Sequence, residues 1–302
     1  MKFKRFLYLL RDILISFSFK EISISTPSGI SARIITDSKY GKTRLVTMIL
    51  VYPRFIHPQI LTHRVFSRNS ASSRAVSTKA SIQAVENNPV IPISWGQDQR
   101  GMVAEEDLGD IIATQAEERW ILAAKSAVEQ ARSLQEIGLH KQVCNRVLEP
   151  FLRMTTIVTA TDWDNFLKLR LADDAQPEIQ ALAMCIEQAL KKSTPVYKER
   201  GEYHLPFIKT RDYLFVLLSF FKGKIFTRLD KVSAARCARV SYLTHDGKRK
   251  SLEEDVAFAD RLFKNKHMSP FEHQVCFLKP KKKEHESNLR NVTQFRKMLD
   301  GG

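Results

Sequence analysis

The stretch THRVFSRNSASSRA, residues 62–75, gathers one His, three Arg, five Ser or Thr hydroxyls and an Asn, with no acid among them. Such a set suits anion binding, because phosphate oxygens accept several charge-assisted hydrogen bonds from cations, hydroxyls and free backbone N–H groups. His63 and Arg64 fall at the end of a predicted helix, and Ser67 shares the face of His63 if that helix continues. Asn69, Ser72, Ser73 and Arg74 then follow in a loop. A solvated helix-to-loop junction accounts for the residue types equally well.

Two further clusters could do chemistry. In HMSPFEH, residues 267–273, Ser269, Pro270 and Glu272 form a Ser-x-x-Glu capping box that predicts a sharp helix start. That N-terminus, flanked by His267, could also face a phosphate or an oxyanion. In NFLKLR, residues 165–170, Asn165 and Arg170 edge an apolar helix, and Arg146 in CNRVLEP is the matching exception on the helix before it. Two arginines beside apolar segments can clamp a phosphate or carboxylate; ordinary surface arginines are the plain alternative. His267 and His273 lack a third ligand, and Cys144, Cys185, Cys237 and Cys276 lie far apart, so no metal site is expected. There is no Gly-rich nucleotide loop, Walker sequence or GxSxG elbow.

The elements that must position these residues are partly legible. SARIITDSKYGKTRLVTMILVY reads as two strands about a turn at Tyr40-Gly41-Lys42, ended by Pro53. RFIHPQILTHRVF has a helical apolar pattern whose start Pro58 confines. NNPVIPISWGQDQRG is a loop, and Ala104 to about Gly138 a long amphipathic helix. A helix broken at Pro150, and two more separated near Asp173-Asp174, follow. DKVSAARCARVSY suggests a helix or strand, and the stretch from Ser251 holds two helical starts.

The 302 residues carry 48 Lys plus Arg against 33 Asp plus Glu, a net charge of +15 that predicts an anionic partner without choosing which. Hydrophobic content of 43% with 27% charged residues fits a globular chain rather than a disordered one. The sparse cysteines predict buried free thiols in a reducing compartment, so a cytoplasmic location is expected. Near the N-terminus, Phe3, Phe6, Leu7, Leu10, Leu14 and Phe17 form one helical stripe interrupted by Arg11 and Asp12, giving an amphipathic helix rather than a signal or a transmembrane segment.

Taken together, these motifs resemble the flavin-dependent thymidylate synthase family. THRVFSRNSASSR keeps His63, Arg64, Ser67, Asn69, Ser72 and Arg74 of its signature in register; RVLEP keeps Arg146 and Pro150. NFLKLRLADDAQPEIQ, SAARCARVSY and HMSPFEH are similar to its remaining blocks. The last two precede the signature in better-known members and follow it here, as in a rearranged, phage-type branch. Thr62 stands where the family has Arg, Ser70 where it has Glu, and Thr159 and Thr161 where it has Asn and Arg. Ser73 replaces a common Gly, Ala75 an aromatic and Asp174 a His.

The resemblance implies an α+β fold, a mixed sheet with long helices in one large domain over 26–278, between an N-terminal helix or extension (1–25) and a basic tail (279–302). It implies FAD-dependent conversion of dUMP to dTMP, with methylenetetrahydrofolate as carbon donor and NADPH as reductant, in a homotetramer with shared sites. His63, Arg64, Ser67, Asn69, Asn165, Ser241 and Ser269 would contact FAD. Gln59, Ser72, Ser73, Arg74, Arg146 and Arg170 would hold dUMP, Arg170 also acting electrostatically on the pyrimidine, and His267 would serve folate. Two alternatives stay open: a related deoxyuridylate-modifying enzyme such as a hydroxymethylase, and a non-catalytic relative that binds nucleic acid through its basic surface, including Lys279, Lys281, Lys282 and Lys283.

Overall fold

A computed structural model of the chain describes residues 9–14, 16, 20–221, 228–240, 250–278 and 287–300. Its centre is an antiparallel sheet in the order β1-β2-β3-β5-β4: β1 (Ser23–Ser25), β2 (Ser31–Tyr40), β3 (Thr43–Pro53), β4 (Ser67–Ser70) and β5 (Arg153–Ala160). A short β6 (Val196–Tyr197) adds in parallel to β2. β2 and β3 form the expected hairpin, with Tyr40 opposite Thr43 and Gly41 at φ 56°, a left-handed conformation in which a side chain would be strained. β5 inserts between β3 and β4, pairing Val46 with Ala160 and Ser67 with Thr159. The sequence reading assigned no strand there, although Thr155 to Thr159 is a β-branched run.

Strand alternation sorts side chains to two faces. On one, Val46, Met48, Leu50, Met154 and Val158 meet Ile179, Leu182, Ala183 and Ile186 of a helix at Pro177–Lys192. That helix is α6; before it in the chain come α1 (His57–Leu61), α2 (Thr78–Asn87), α3 (Asp110–Glu136), α4 (Lys141–Cys144) and α5 (Asp164–Arg170). On the other face, Ile49 and Ile157 meet Cys237. This part of the chain holds α7 (Thr210–Phe221), α8 (Leu229–Ala238) and α9 (Leu252–Lys264), which fall in sequence between β7 (Tyr203–His204) and its partners β8 (Val275–Cys276) and β9 (Thr293–Gln294) in a small sheet. The fold is α+β, with a sheet covered on both sides. Residues 287–300, read from sequence as part of a basic tail, form β9 and α10 (Phe295–Asp300), and Val292 and Phe295 are buried.

Two helical expectations change. Pro270 starts only a 3-10 turn, Ser269–Glu272, and no side chain caps it. Ser269 Oγ instead donates to Asn69 Oδ1 at 3.4 Å, so the Ser-x-x-Glu pattern makes no capping box. The box sits at Ser251 and Glu254, where both of its bonds are present and start α9. The helix at His57 ends at Leu61, before Ser67, which opens β4 instead of sharing a helical face with His63.

Under the α8 face runs a buried polar chain. His204 Nδ1 meets Ser38 Oγ at 2.9 Å and its Nε2 meets Thr47 Oγ1 at 2.8 Å; Thr47 meets Thr159 Oγ1 at 2.7 Å, and Thr159 meets His273 Nδ1 at 2.8 Å. With both imidazoles neutral, every hydroxyl can donate in one direction, from His273 toward Ser38, an assignment made from the network. Burial lowers both histidines to about 3, with Lys198 adding to the effect at His204. The native state therefore binds fewer protons than the unfolded chain between about pH 3 and pH 6.5, and stability must fall as pH drops through that window. Each histidine contributes up to about 1.4 kcal/mol per pH unit there. Urea unfolding at pH 7 and pH 5 should show the midpoint dropping at pH 5, and His204→Asn should flatten the difference.

Candidate functional site

The signature stretch is folded around one side chain that the sequence reading gave no role. Arg68, in β4, donates from Nη1 to three carbonyls at the end of α1: Ile60 at 3.0 Å, Leu61 at 2.7 Å and His63 at 3.3 Å. Backbone N–H groups reach two of these carbonyls as well, His63 N to Ile60 at 3.3 Å and Phe66 N to His63 at 3.2 Å, and the cation suits that end of the helix dipole. This cap turns the chain sharply, so that His63 points inward against Phe66 and Phe166, with ring centroids 5.7 Å and 4.9 Å away. On the same side Tyr52 OH bridges His57 Nδ1 at 2.9 Å and Thr156 Oγ1 at 2.7 Å, and burial pushes this phenol up to about 12.

His63 is 6% exposed and meets Arg170 from the end of α5, whose Nε donates to His63 Nε2 at 3.1 Å. Burial first, then Arg170 and Arg68, lower this imidazole to about 4, so it is neutral near pH 7 and acts as an acceptor. Arg170 Nη1 reaches Gln59 Oε1 at 3.5 Å, the outer limit of a hydrogen bond. Gln59 Nε2 donates to Gln176 Oε1 at 2.5 Å, and Gln176 Nε2 to Glu178 Oε2 at 3.0 Å. The structure thus joins Gln59 and His63, from one stretch of sequence, to Arg170 from another, and adds Gln176 and Glu178.

A second group lies on the loop after β4. Buried Asn145 donates to the carbonyls of Ser73 at 2.7 Å and Val76 at 3.1 Å, holding that loop from below. Ser73 is buried, whereas Arg74 beside it and Arg146 beside Asn145 are exposed, so two cations emerge at one junction. Ser72 Oγ accepts from Arg74 N at 3.3 Å. Arg146 pairs with Glu149 at 2.8 Å, and Glu149 also meets Arg54 at 3.0 Å. An exposed pair of this kind is worth about 1 kcal/mol or less, so an anion can compete for Arg146.

The residues assigned to a flavin by resemblance are placed unevenly. Arg64 and Asn165 are exposed. Ser67 is fully buried, and its Oγ accepts from Gln294 Nε2 at 2.8 Å and Asn288 Nδ2 at 3.0 Å. Asn69 donates to Cys237 O at 2.9 Å while accepting from Ser269. His267 is exposed beyond the end of α9, where its backbone N donates to Leu262 O at 2.9 Å. Ser241 lies outside the described residues. Among the described residues no group of three or more His, Cys, Asp or Glu could hold a metal ion, and no helix is long and apolar enough to cross a membrane.

The span that holds both groups, residues 44–196, matches the family model described as thymidylate synthase complementing protein. The chain belongs to that family, whose members are the flavin-dependent thymidylate synthases. Within it, the match runs from β3 to the start of β6, leaving α8, α9 and the SPFEH turn after it in sequence. None of the curated proteins matches the chain. Among solved structures it is similar to a UMP/dUMP methylase, PolB from Streptomyces cacaoi bound with 5-Br UMP. The identity is 16%, the TM-score 0.45, and the similarity covers 56% of this chain and 92% of that one.

Arg68 is the test of how the family signature is shaped in this chain. Arg68→Ala leaves three carbonyls at the end of α1 without their charged donor, and should cost about 2 kcal/mol in urea unfolding. Arg68→Lys, which keeps the charge without the fork, should recover only part of that loss.

Proposed function

We propose that this protein is a FAD-dependent thymidylate synthase that converts dUMP to dTMP, taking its carbon from methylenetetrahydrofolate and its reducing equivalents from NADPH. Membership of the family supports the reading, and one observation carries it: Arg170 is held half-buried between a neutral imidazole and a glutamine carbonyl. Neither neighbour neutralises its charge. A cation fixed in this way can stabilise negative charge on a pyrimidine carbonyl as the ring is attacked, with little reorganisation. Arg74 and Arg146, with Ser72 on the same loop junction, suit the nucleotide phosphate, and Gln59 suits the base edge.

The residues present fit a flavin dinucleotide at its polar periphery. Arg64, exposed beside His63, suits the pyrophosphate, and exposed Asn165 offers an amide on the neighbouring helix. Ser67 and Asn69, committed to Gln294, Asn288 and Cys237, shape the wall rather than reach outward. When bound, a flavin supplies the hydride that reduces the transferred one-carbon unit. His267 is assigned to the folate. Exposed Ile111, Ile112 and Leu122 on α3 give apolar surface for the homotetramer that the reading includes.

The purified protein should be yellow, and NADPH should bleach the flavin band faster when dUMP is present. A colourless protein that takes up no added FAD and fails to rescue a thymidine auxotroph would remove the activity. Arg170→Ala should slow methyl transfer about 100- to 1,000-fold with flavin still bound; unchanged turnover would remove Arg170 from the chemistry.

A further inference from the structure

Glu178 is 3% exposed, in the first turn of α6, and both of its carboxyl oxygens accept. Ile93 N donates to Oε1 at 3.0 Å and Gln176 Nε2 to Oε2 at 3.0 Å. A backbone N–H can only donate, so the Ile93 contact fixes one oxygen as an acceptor, and a carboxylate leaves the other an acceptor too. Gln176 must therefore turn its amino group toward Glu178 and its carbonyl toward Gln59. Gln59 in turn must offer its amino group to Gln176, at 2.5 Å, and its carbonyl to Arg170. Arg170 then finds acceptors on both sides, Gln59 Oε1 at Nη1 and His63 Nε2 at Nε. Since guanidinium nitrogens have no acceptor capacity, His63 must leave Nε2 bare and carry its proton on Nδ1.

We infer that Glu178 is a positioning residue that sets, through the amides of Gln176 and Gln59, the acceptor presented to Arg170 and thereby the tautomer of His63. The two glutamine amides are symmetric in shape and asymmetric only in polarity, so a single buried acceptor at one end dictates the orientation of each. Reversing that end would put an amino group against Arg170, donor against donor. The arginine would then leave both neighbours, and His63 Nε2 would lose its partner. The use of this polarity, aiming Arg170 at a nucleotide, rests on the function proposed above; the polarity itself does not.

The test reads polarity directly in the full chain labelled with 15N-histidine, with the ring signals of His63 identified by their loss in His63→Gln. The wild-type protein should show His63 with a bare Nε2 and a protonated Nδ1. In Glu178→Gln, the new amide gives its carbonyl to Ile93 N and its amino group to Gln176, reversing the series, and the bare-Nε2 signature should disappear. Gln176→Leu, which cuts the series without reversing it, leaves Gln59 free to keep its carbonyl toward Arg170, and the signature should remain. The double exchange Gln176→Glu with Glu178→Gln puts the carboxylate at position 176, where it accepts from both neighbours. Gln59 then keeps its carbonyl toward Arg170, and the signature should return. Wild-type tautomer in folded Glu178→Gln overturns the proposal, as does its loss in folded Gln176→Leu or a folded double exchange that fails to restore it. Titration with dUMP separates the two readings. Binding that weakens tenfold or more in Glu178→Gln and recovers in the double exchange supports both. A tautomer series that behaves as stated in a wild-type protein that binds no dUMP leaves the positioning role standing and removes the function.

Discussion

The pairing of β3 with β5, from Val46 opposite Ala160 to Pro53 opposite Arg153, is the constraint on which everything else is built. Odd and even positions of these two strands project to opposite faces, so one register decides two environments at once. On the α6 face it sets Tyr52 against Thr156, and with them the wall behind His57 and Ser70. On the α8 face it sets Thr47 against Thr159 and aligns two buried histidines. A slip of one residue would drive threonine hydroxyls into the packing of α6 and leave Met48, Leu50 and Val158 against imidazoles. The polar contacts therefore act less as a source of stability than as a penalty on every other register, since buried hydroxyls without partners cost about 1–3 kcal/mol each.

Both groups of candidate residues hang from the ends of this pairing. β4 is registered on β5 through Ser67 and Ser70, which brings Arg68 back over α1 and turns His63 inward. The segment leading into β5, with Arg146 and Asn145, carries the loop of Ser73 and Arg74. Charge is handled differently at the two groups. Arg170 is flanked by neutral acceptors and keeps its full charge, while Arg146 shares Glu149 with Arg54. Such a division suits a substrate with a mobile anionic end and a ring that must sit in one orientation.

Periodicity made the hairpin, α3 and α6 legible, because each buries a continuous stripe or alternates cleanly. It failed at β5, where the run Thr155–Thr159 contains three threonines, and the hydroxyls of two, Thr156 and Thr159, find partners far away in sequence, so that a buried strand looks half polar. The Ser-x-x-Glu pattern at Ser269 misled for a related reason. A capping box requires a helix to cap, and here tertiary partners take both ends: Asn69 binds Ser269, and Arg296 pairs with Glu272. The register of the signature residues was readable, whereas their support was not. Gln176 and Gln59 are 117 residues apart, and Arg68 was one of several cations in a crowded stretch until its three carbonyl partners gave it a role.

Ser67 receives its two hydrogen bonds from Asn288 and Gln294, residues that follow it by more than two hundred positions. Chains emerge from the ribosome N-terminal end first. The signature stretch is therefore made early and must wait, with the back of β4 unsealed, until more than two hundred further residues have been synthesised. During that interval the Ser67 hydroxyl and the Val65 carbonyl lack the donors that Asn288 and Gln294 supply, and the surrounding apolar side chains are open to other molecules. The timing of translation, and not only the energy of the finished fold, thus decides how long this part of the protein stays vulnerable to aggregation.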